Sequence, residues 1–272
     1  MTRTKTCSYH SPRRSITSTF NHREKTMNAP AAAAPEAAAP STTDLFITVP
    51  ETTLPNGTVV SAFRVGQYVC TQGTDGKAAI TAEGTPWVRI DFEEAKAACI
   101  AAGYALLTEL QALAIAWNVS LQDANWSGGK VGEGTLRMGL HKGTVYGAQP
   151  GTYESPDADE QRWFVLSNGE RICDVAGNVY SWIFDDVQGD EQGLVAKRFD
   201  ASSPSLTTPP HPSMEKGVGW YPNAGSDWSG YALVRGGCWG SGARAGAFHL
   251  GGDWPGYRHD YVGFRCTTQP GL

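Results

Sequence analysis

LVRGGCWGSGARAGAFHLGGDWPGYRHDYVGFRC, residues 233–266, is the stretch whose reading decides the fold. It opens on Arg235-Gly236-Gly237 and closes on Gly263-Phe264-Arg265, and the sequence between them has neither a helical period nor the alternation of a strand. Paired glycines permit tight backbone turns, and Trp239, Phe248, Leu250, Trp254 and Pro255 are apolar anchors set among Gly, Ser, Arg, His, Asp and Tyr. Arg235 and Arg265 flank the segment, each with five N–H donors able to satisfy the carbonyls of a buried irregular loop. Long irregular stretches in a compact domain are usually functional, so this one draws attention first.

Upstream, regular structure is easier to read. FITV (46–49) and VVSAFRVGQYV (59–69) read as strands flanking the Asn56-Gly57 turn. DFEEAKAACIAAGYALLTELQALAIAW (91–117) has apolar residues at helical spacing, broken by Gly103 into two short helices that Asp91 and Thr108 can cap. Beyond about 120 the pattern fades into Gly- and Trp-rich loops with short strands such as RWFVL (162–166) and ALVRGG (232–237), and SPSLTTPPHP (203–212) reads as a loop. The class is α+β with an unusual share of loop.

Residues 1–43 are expected to be a disordered basic leader followed by an Ala/Pro linker, since Pro30, Pro35 and Pro40 prevent a stable helix. Of the 22 Lys/Arg and 27 Asp/Glu, six basic residues and one acid fall in 1–26, so the remaining body carries a net charge of −10. An acidic body argues against a nucleic-acid partner, which needs clustered Lys and Arg. No apolar run is long enough to span a bilayer, and the leader lacks the apolar core of a secretory signal. The six cysteines show no Cys-x-x-Cys and no zinc-ligand spacing. Buried free thiols are the expectation.

FRVGQYVCTQ (63–72), DFEEAKAACIAAGYALLTELQALAIAW (91–117), DVAGNVYSWIFD (174–185) and LVRGGCW with VGFRC (233–239, 262–266) together resemble the formylglycine-generating enzyme and sulfatase-modifying-factor group. The resemblance covers about 44–268. It implies a C-type lectin-like fold of that subtype, loop-rich with short strands and two helices, in one domain over 44–270. Trp182, Arg235, Trp239, Phe248, Leu250, Trp254 and Phe264 would be its scaffold. Enzymes of the group carry two closely spaced thiols shortly after the Arg-Gly-Gly motif. Here that place reads WGSGAR (239–244), without cysteine, and Cys238 has no second thiol until Cys266. A soft-metal site needs convergent thiolates, so no catalytic residue and no required cofactor is expected. His249 and His259 lie among Asp253 and Asp260, but no nucleophile is partnered with them. The group also implies calcium ligands at Asp174, Gly177, Val179 and Ser181, where Ser181 replaces the acidic ligand and weakens the site.

The same stretch resembles the variable region of diversity-generating retroelement proteins built on this fold, a group that includes phage tropism determinants. Their template codon AAC, altered at its adenines, yields only codons ending in C, which never encode Lys, Glu, Gln, Met or Trp. Between Trp239 and Tyr261 there is no Lys, Glu, Gln or Met. The exchangeable positions by this resemblance are Gly240, Ser241, Arg244, Ala247, His249, Gly251, Gly252, Asp253, Gly256, Tyr257, His259, Asp260 and Tyr261, in a variable region of about 239–261. All have a codon ending in C, and together they have the chemistry of a paratope, with Tyr257, Tyr261 and Arg244 as the strongest contributors. The expected function is hypervariable recognition of a macromolecular ligand, a protein or glycan on a cell surface. The carrier would be a phage or prophage particle or a bacterial cytoplasm or surface, and an oligomer is compatible with the resemblance. A sulfatase-modifying enzyme or its inactive relative, or a fixed carbohydrate or protein binder, are the alternatives.

Overall fold

The computed structural model describes residues 44–268, so the leader and linker expected over 1–43 lie outside the described residues. The Asn56-Gly57 turn ends a hairpin that pairs Thr52–Thr53 with Val59–Val60, and the same two arms continue as Phe46–Val49 against Phe63–Gly66. The arm read as one strand over 59–69 is thus two, with Ser61-Ala62 between them. Gly57 sits at φ 87°, the left-handed conformation that the turn requires.

The two expected helices form at Phe92–Ala101 and Glu109–Ser120. Each begins with a capping box: Asp91 with Glu94 in the first, Thr108 with Gln111 in the second. Gly103, at φ 83°, turns the chain between them. A third short helix, Pro204–Thr207, occupies part of the stretch read as a loop. Ser203 caps it and Pro204 starts it, a combination favourable at a helix N-terminus.

Two four-stranded sheets organise the rest. One joins Phe46–Val49, Phe63–Gly66, Cys266–Thr267 and Ala105–Leu106 in that order, tying the end of the domain to its beginning. The other runs Leu250–Asp253, Ala232–Arg235, Tyr180–Ile183, Val262–Phe264. Its last pair is parallel, with Ser181 opposite Gly263 and Trp182 opposite Phe264. Trp182 and Phe264 are fully buried, and the Trp182 indole donates to the Ile90 carbonyl at 3.0 Å. The GNVYSW and GFRC segments are therefore adjacent strands of one sheet.

The stretch 238–266 is less formless than its period suggests. It holds a 3-10 turn at Gly242–Arg244 and two of the strands just named, Leu250–Asp253 and Val262–Phe264. Leu250–Asp253 escapes a periodicity search because Gly251 and Gly252, both buried, supply no side chain to alternate. A Cβ on Gly252 would sit 3.0 Å from the Trp228 ring.

Candidate functional site

The frame under this segment is held by buried charge. Glu109, the first residue of the second helix, is fully buried, and Arg235 donates to both of its carboxylate oxygens, Nε to Oε2 at 2.6 Å and Nη2 to Oε1. Ser205 of the short helix also donates to Glu109, at 2.6 Å. Arg235 Nη1 reaches the Phe248 carbonyl at 3.3 Å, so the ion pair anchors the middle of the segment. Arg265, also buried, donates to the carbonyls of Gly66, Cys173 and Asp174 at 2.6, 2.6 and 3.0 Å. Gly237, at φ 86°, brings the backbone so close to Ala245 that a Cβ would lie 2.8 Å from its Cα.

On this frame the sequence-derived positions divide by depth. Trp239, Phe248 and Leu250 are buried, in keeping with a scaffold role. Trp254 departs from that role: it is 62% exposed, with its ring 4.7 Å from Tyr231. Pro255 is half-buried and its carbonyl accepts from Phe92 N at 2.9 Å, so the backbone there is fixed while the tryptophan faces solvent.

Ser241, Ala247, His249, Gly251 and Gly252, read as ligand contacts, are buried. Ser241 Oγ accepts from Cys238 N at 2.9 Å and lies 3.0 Å from the Tyr180 hydroxyl. His249 is fully buried, with Nδ1 2.7 Å from the Arg244 carbonyl and its ring 5.3 Å from Tyr180. The carbonyl can only accept, so Nδ1 carries the proton and Nε2 is a bare acceptor; it has no hydrogen-bond partner among the described residues. Burial holds its pKa down to about 3. Strand pairing accounts for the depth of Gly251 and Gly252, which lie opposite Val234 and Leu233 inside the sheet.

The remaining positions, Gly240, Arg244, Asp253, Gly256, Tyr257, His259, Asp260 and Tyr261, are exposed or half-buried. Tyr257 and Tyr261 share a hydroxyl–hydroxyl hydrogen bond of 2.7 Å, and His259 stacks on Tyr261 at 3.7 Å. Burial, reinforced by that hydrogen bond, pushes the Tyr261 phenol well up, and burial also raises that of Tyr257, so both tyrosines are neutral at physiological pH. Arg244 lies over the Trp220 ring at 5.1 Å. Arg258, which is not among the exchangeable positions, is exposed and reaches Asp91 and Glu94 at 2.7 Å each, pinning the surface loop to the cap of the first helix. Arg258, Trp254 and Tyr231 thus border the surface, and no local pattern in the sequence marks them as doing so.

The residues singled out for calcium do not fit that ion. Both carboxylate oxygens of Asp174 are taken by Arg162, Nε to Oδ1 at 2.9 Å and Nη2 to Oδ2 at 2.7 Å. Asp174, Val179 and Ser181 line a cavity of about 30 Å³ that also carries Arg235 and Arg265, and with the Asp174 carboxylate neutralised by Arg162 no free negative charge among the described residues faces a cation there. Among the described residues no group of three or more His, Cys, Asp or Glu is placed to hold a metal. Cys70, Cys99, Cys173 and Cys266 are buried free thiols, and burial raises the pKa of each. Among the described residues no helix is long and apolar enough to cross a membrane.

These features define an α+β domain of C-type-lectin type that stretches one long, Gly-rich C-terminal segment over a closed frame. The chain belongs to the family of sulfatase-modifying factor enzyme 1-like domains, whose family model matches residues 62–270. Among solved structures it is similar to Treponema denticola variable protein 1, with 16% identity, 83% of this chain and 94% of that one covered, and a TM-score of 0.39. It is similar also to PvdO from Pseudomonas aeruginosa, with 14% identity, 82% and 91% covered, and a TM-score of 0.34. The P3c variant of the major tropism determinant shares 14% identity over 76% of this chain and 50% of that chain, with a TM-score of 0.38. A search of the curated proteins found no match.

Proposed function

We propose that this chain is a ligand-binding protein whose recognition surface, the solvent face of 240–261, is diversified by a retroelement and catalyses no reaction. One observation carries the reading. Of the positions that adenine-directed exchange can rewrite, Arg244, Asp253, Tyr257, His259, Asp260 and Tyr261 present side chains with solvent-accessible surface, while Ser241, Ala247 and His249 lie buried with Trp239, Phe248, Leu250 and Phe264. Such a division lets contacts change without disturbing the core, because surface substitutions usually alter stability by less than about 0.5 kcal/mol. The surface has a binder's composition: tyrosines bring large contact area at low entropic cost, and Arg, His and Asp bring directional polar contacts. Tyr257, Tyr261 and Arg244 are the proposed anchors, and a cell-surface protein or glycan is the proposed ligand class. The family includes enzymes, but WGSGAR lacks the thiol pair that oxidation of a cysteine peptide requires.

The test lies in the neighbouring DNA. A near-copy of the sequence coding for 239–265, differing chiefly where the copy has adenine and adjoining a reverse transcriptase gene, is the expected finding. Absence of any such repeat removes diversification from the proposal. Copper-dependent oxidation of a cysteine peptide by the purified chain would overturn the binding reading altogether.

A further inference from the structure

Arg162 lies outside the recognition surface, at the start of the Trp163–Val165 strand, and is 4% exposed. All five of its N–H donors are used. Besides its two bonds to Asp174, Nη1 donates to the carbonyls of Pro150 and Tyr153 at 2.7 and 2.6 Å, and Nη2 to that of Gln149 at 3.2 Å. Two carboxylate oxygens and three backbone carbonyls therefore converge on one buried positive group. Oxygen donors of these two kinds are what a hard divalent cation such as calcium takes. Asp174 meets this geometry at φ 55°, a left-handed conformation uncommon for a residue other than glycine.

The cage is tied to the recognition segment. Asn178, fully buried, donates to Asp174 Oδ2 at 2.8 Å and to the Gln149 carbonyl at 2.9 Å, and its Oδ1 accepts from Gln149 N at 2.9 Å. Its backbone carbonyl accepts from Trp239 N at 2.9 Å, the first residue of the variable stretch. A cation in the cage thus fixes the 149–153 loop against the 174–178 turn, and through Asn178 the point where the recognition segment begins.

We propose that the Arg162 guanidinium is the resident cation of this oxygen cage, filling a latent divalent-metal site and making the order of the domain independent of calcium. A covalently attached cation holds its place at any external calcium concentration, so the base of the recognition segment stays fixed wherever the protein is carried.

The test uses the full chain in calcium and in chelator. Thermal unfolding of the parent protein should shift by less than about 1 °C between the two, since no ion binds the native state alone. Arg162→Ala exposes the five oxygens. It should gain sensitised terbium luminescence that calcium displaces, and calcium about a hundredfold above its Kd should raise Tm by about 5–10 °C. Arg162→Ala/Asp174→Asn should show neither gain, and Arg162→Lys, which keeps a charge in the cage, should remain silent to terbium. A parent protein whose Tm falls on chelation overturns the proposal whatever the variants do. So does an Arg162→Ala protein with native near-ultraviolet circular dichroism that gains no terbium signal. The parent measurement decides the matter alone if Arg162→Ala does not fold in either condition.

Discussion

His249 should make the stability of this domain fall as pH drops below neutrality. The ring is fully buried, its Nδ1–H is used by the Arg244 carbonyl, and its pKa in the fold is about 3 against an ordinary value of 6.5. Burial is the main cause, with Arg244 and Arg235 adding repulsion against a second positive charge. Below pH 6.5 the unfolded chain takes up a proton at this residue that the folded chain refuses. The folded state is thus disfavoured progressively from pH 6.5 down to about 3, and the loss is constant below that. Between pH 8 and pH 5 the loss is about 2 kcal/mol from this residue alone, within a total stability of about 5–15 kcal/mol. Urea unfolding at a series of pH values, on the parent and on His249→Gln, measures it. The glutamine does not titrate, and the other groups are common to both proteins, so the difference between the curves isolates the histidine. Asp185, whose pKa burial raises to about 6, pushes the opposite way below that pH and is likewise removed by the comparison. Parallel curves for the two proteins would refute the burial argument and place the ring in contact with solvent.

Replacing both Tyr257 and Tyr261 by Ala should weaken ligand binding at least about a hundredfold while costing about 1 kcal/mol of stability for each half-buried ring; affinity and thermal unfolding measured on one preparation separate the two effects. A loss of stability several times larger would mean that the pair belongs to the core. Glu109→Ala leaves Arg235 as a buried charge without its carboxylate and should destabilise by about 3–5 kcal/mol, read by chemical unfolding, whereas Lys142→Ala at the exposed pair with Asp159 should change little.

How much of this could be read from the sequence follows from where side chains carry the signal. Asp91 and Thr108 announced the helices because a cap needs a short polar side chain followed three residues later by Glu or Gln, and both boxes form. The parallel contact of Tyr180–Ile183 with Val262–Phe264 has no local signature, since its partners are far apart in the chain and strands this short repeat too little to show a period. The depth of His249 was equally hidden: a histidine among glycines reads as a surface contact until Arg244, Tyr180 and Trp220 are seen around it. Arg162 was the least legible of all. Its meaning resides in three carbonyl oxygens, and a backbone carbonyl is the same at every residue.

If the segment is diversified as proposed, depth restricts what exchange can achieve at each position. An aspartate at 249 would bury a carboxylate against the rings of Tyr180 and Trp220, so a variant carrying it should lose the fold before it gains a ligand. Productive change is then confined to the outer residues, which surround the constant Trp254 in the sequence. Trp254 is encoded by TGG, which contains no adenine, and it is 62% exposed beside Tyr231, a residue outside the exchanged segment. On the proposed reading, a fixed aromatic pair among changing side chains would supply contact area to every variant, while the changing side chains would decide which ligand is accepted. Several variants differing at 257, 259, 260 and 261 can be selected from a displayed library against separate purified proteins. Trp254→Ala introduced into each should then weaken binding by about the same factor, roughly 10- to 100-fold, with thermal unfolding unmoved. If the loss appears in some variants and not in others, Trp254 is one more specificity contact, and the surface has no constant anchor.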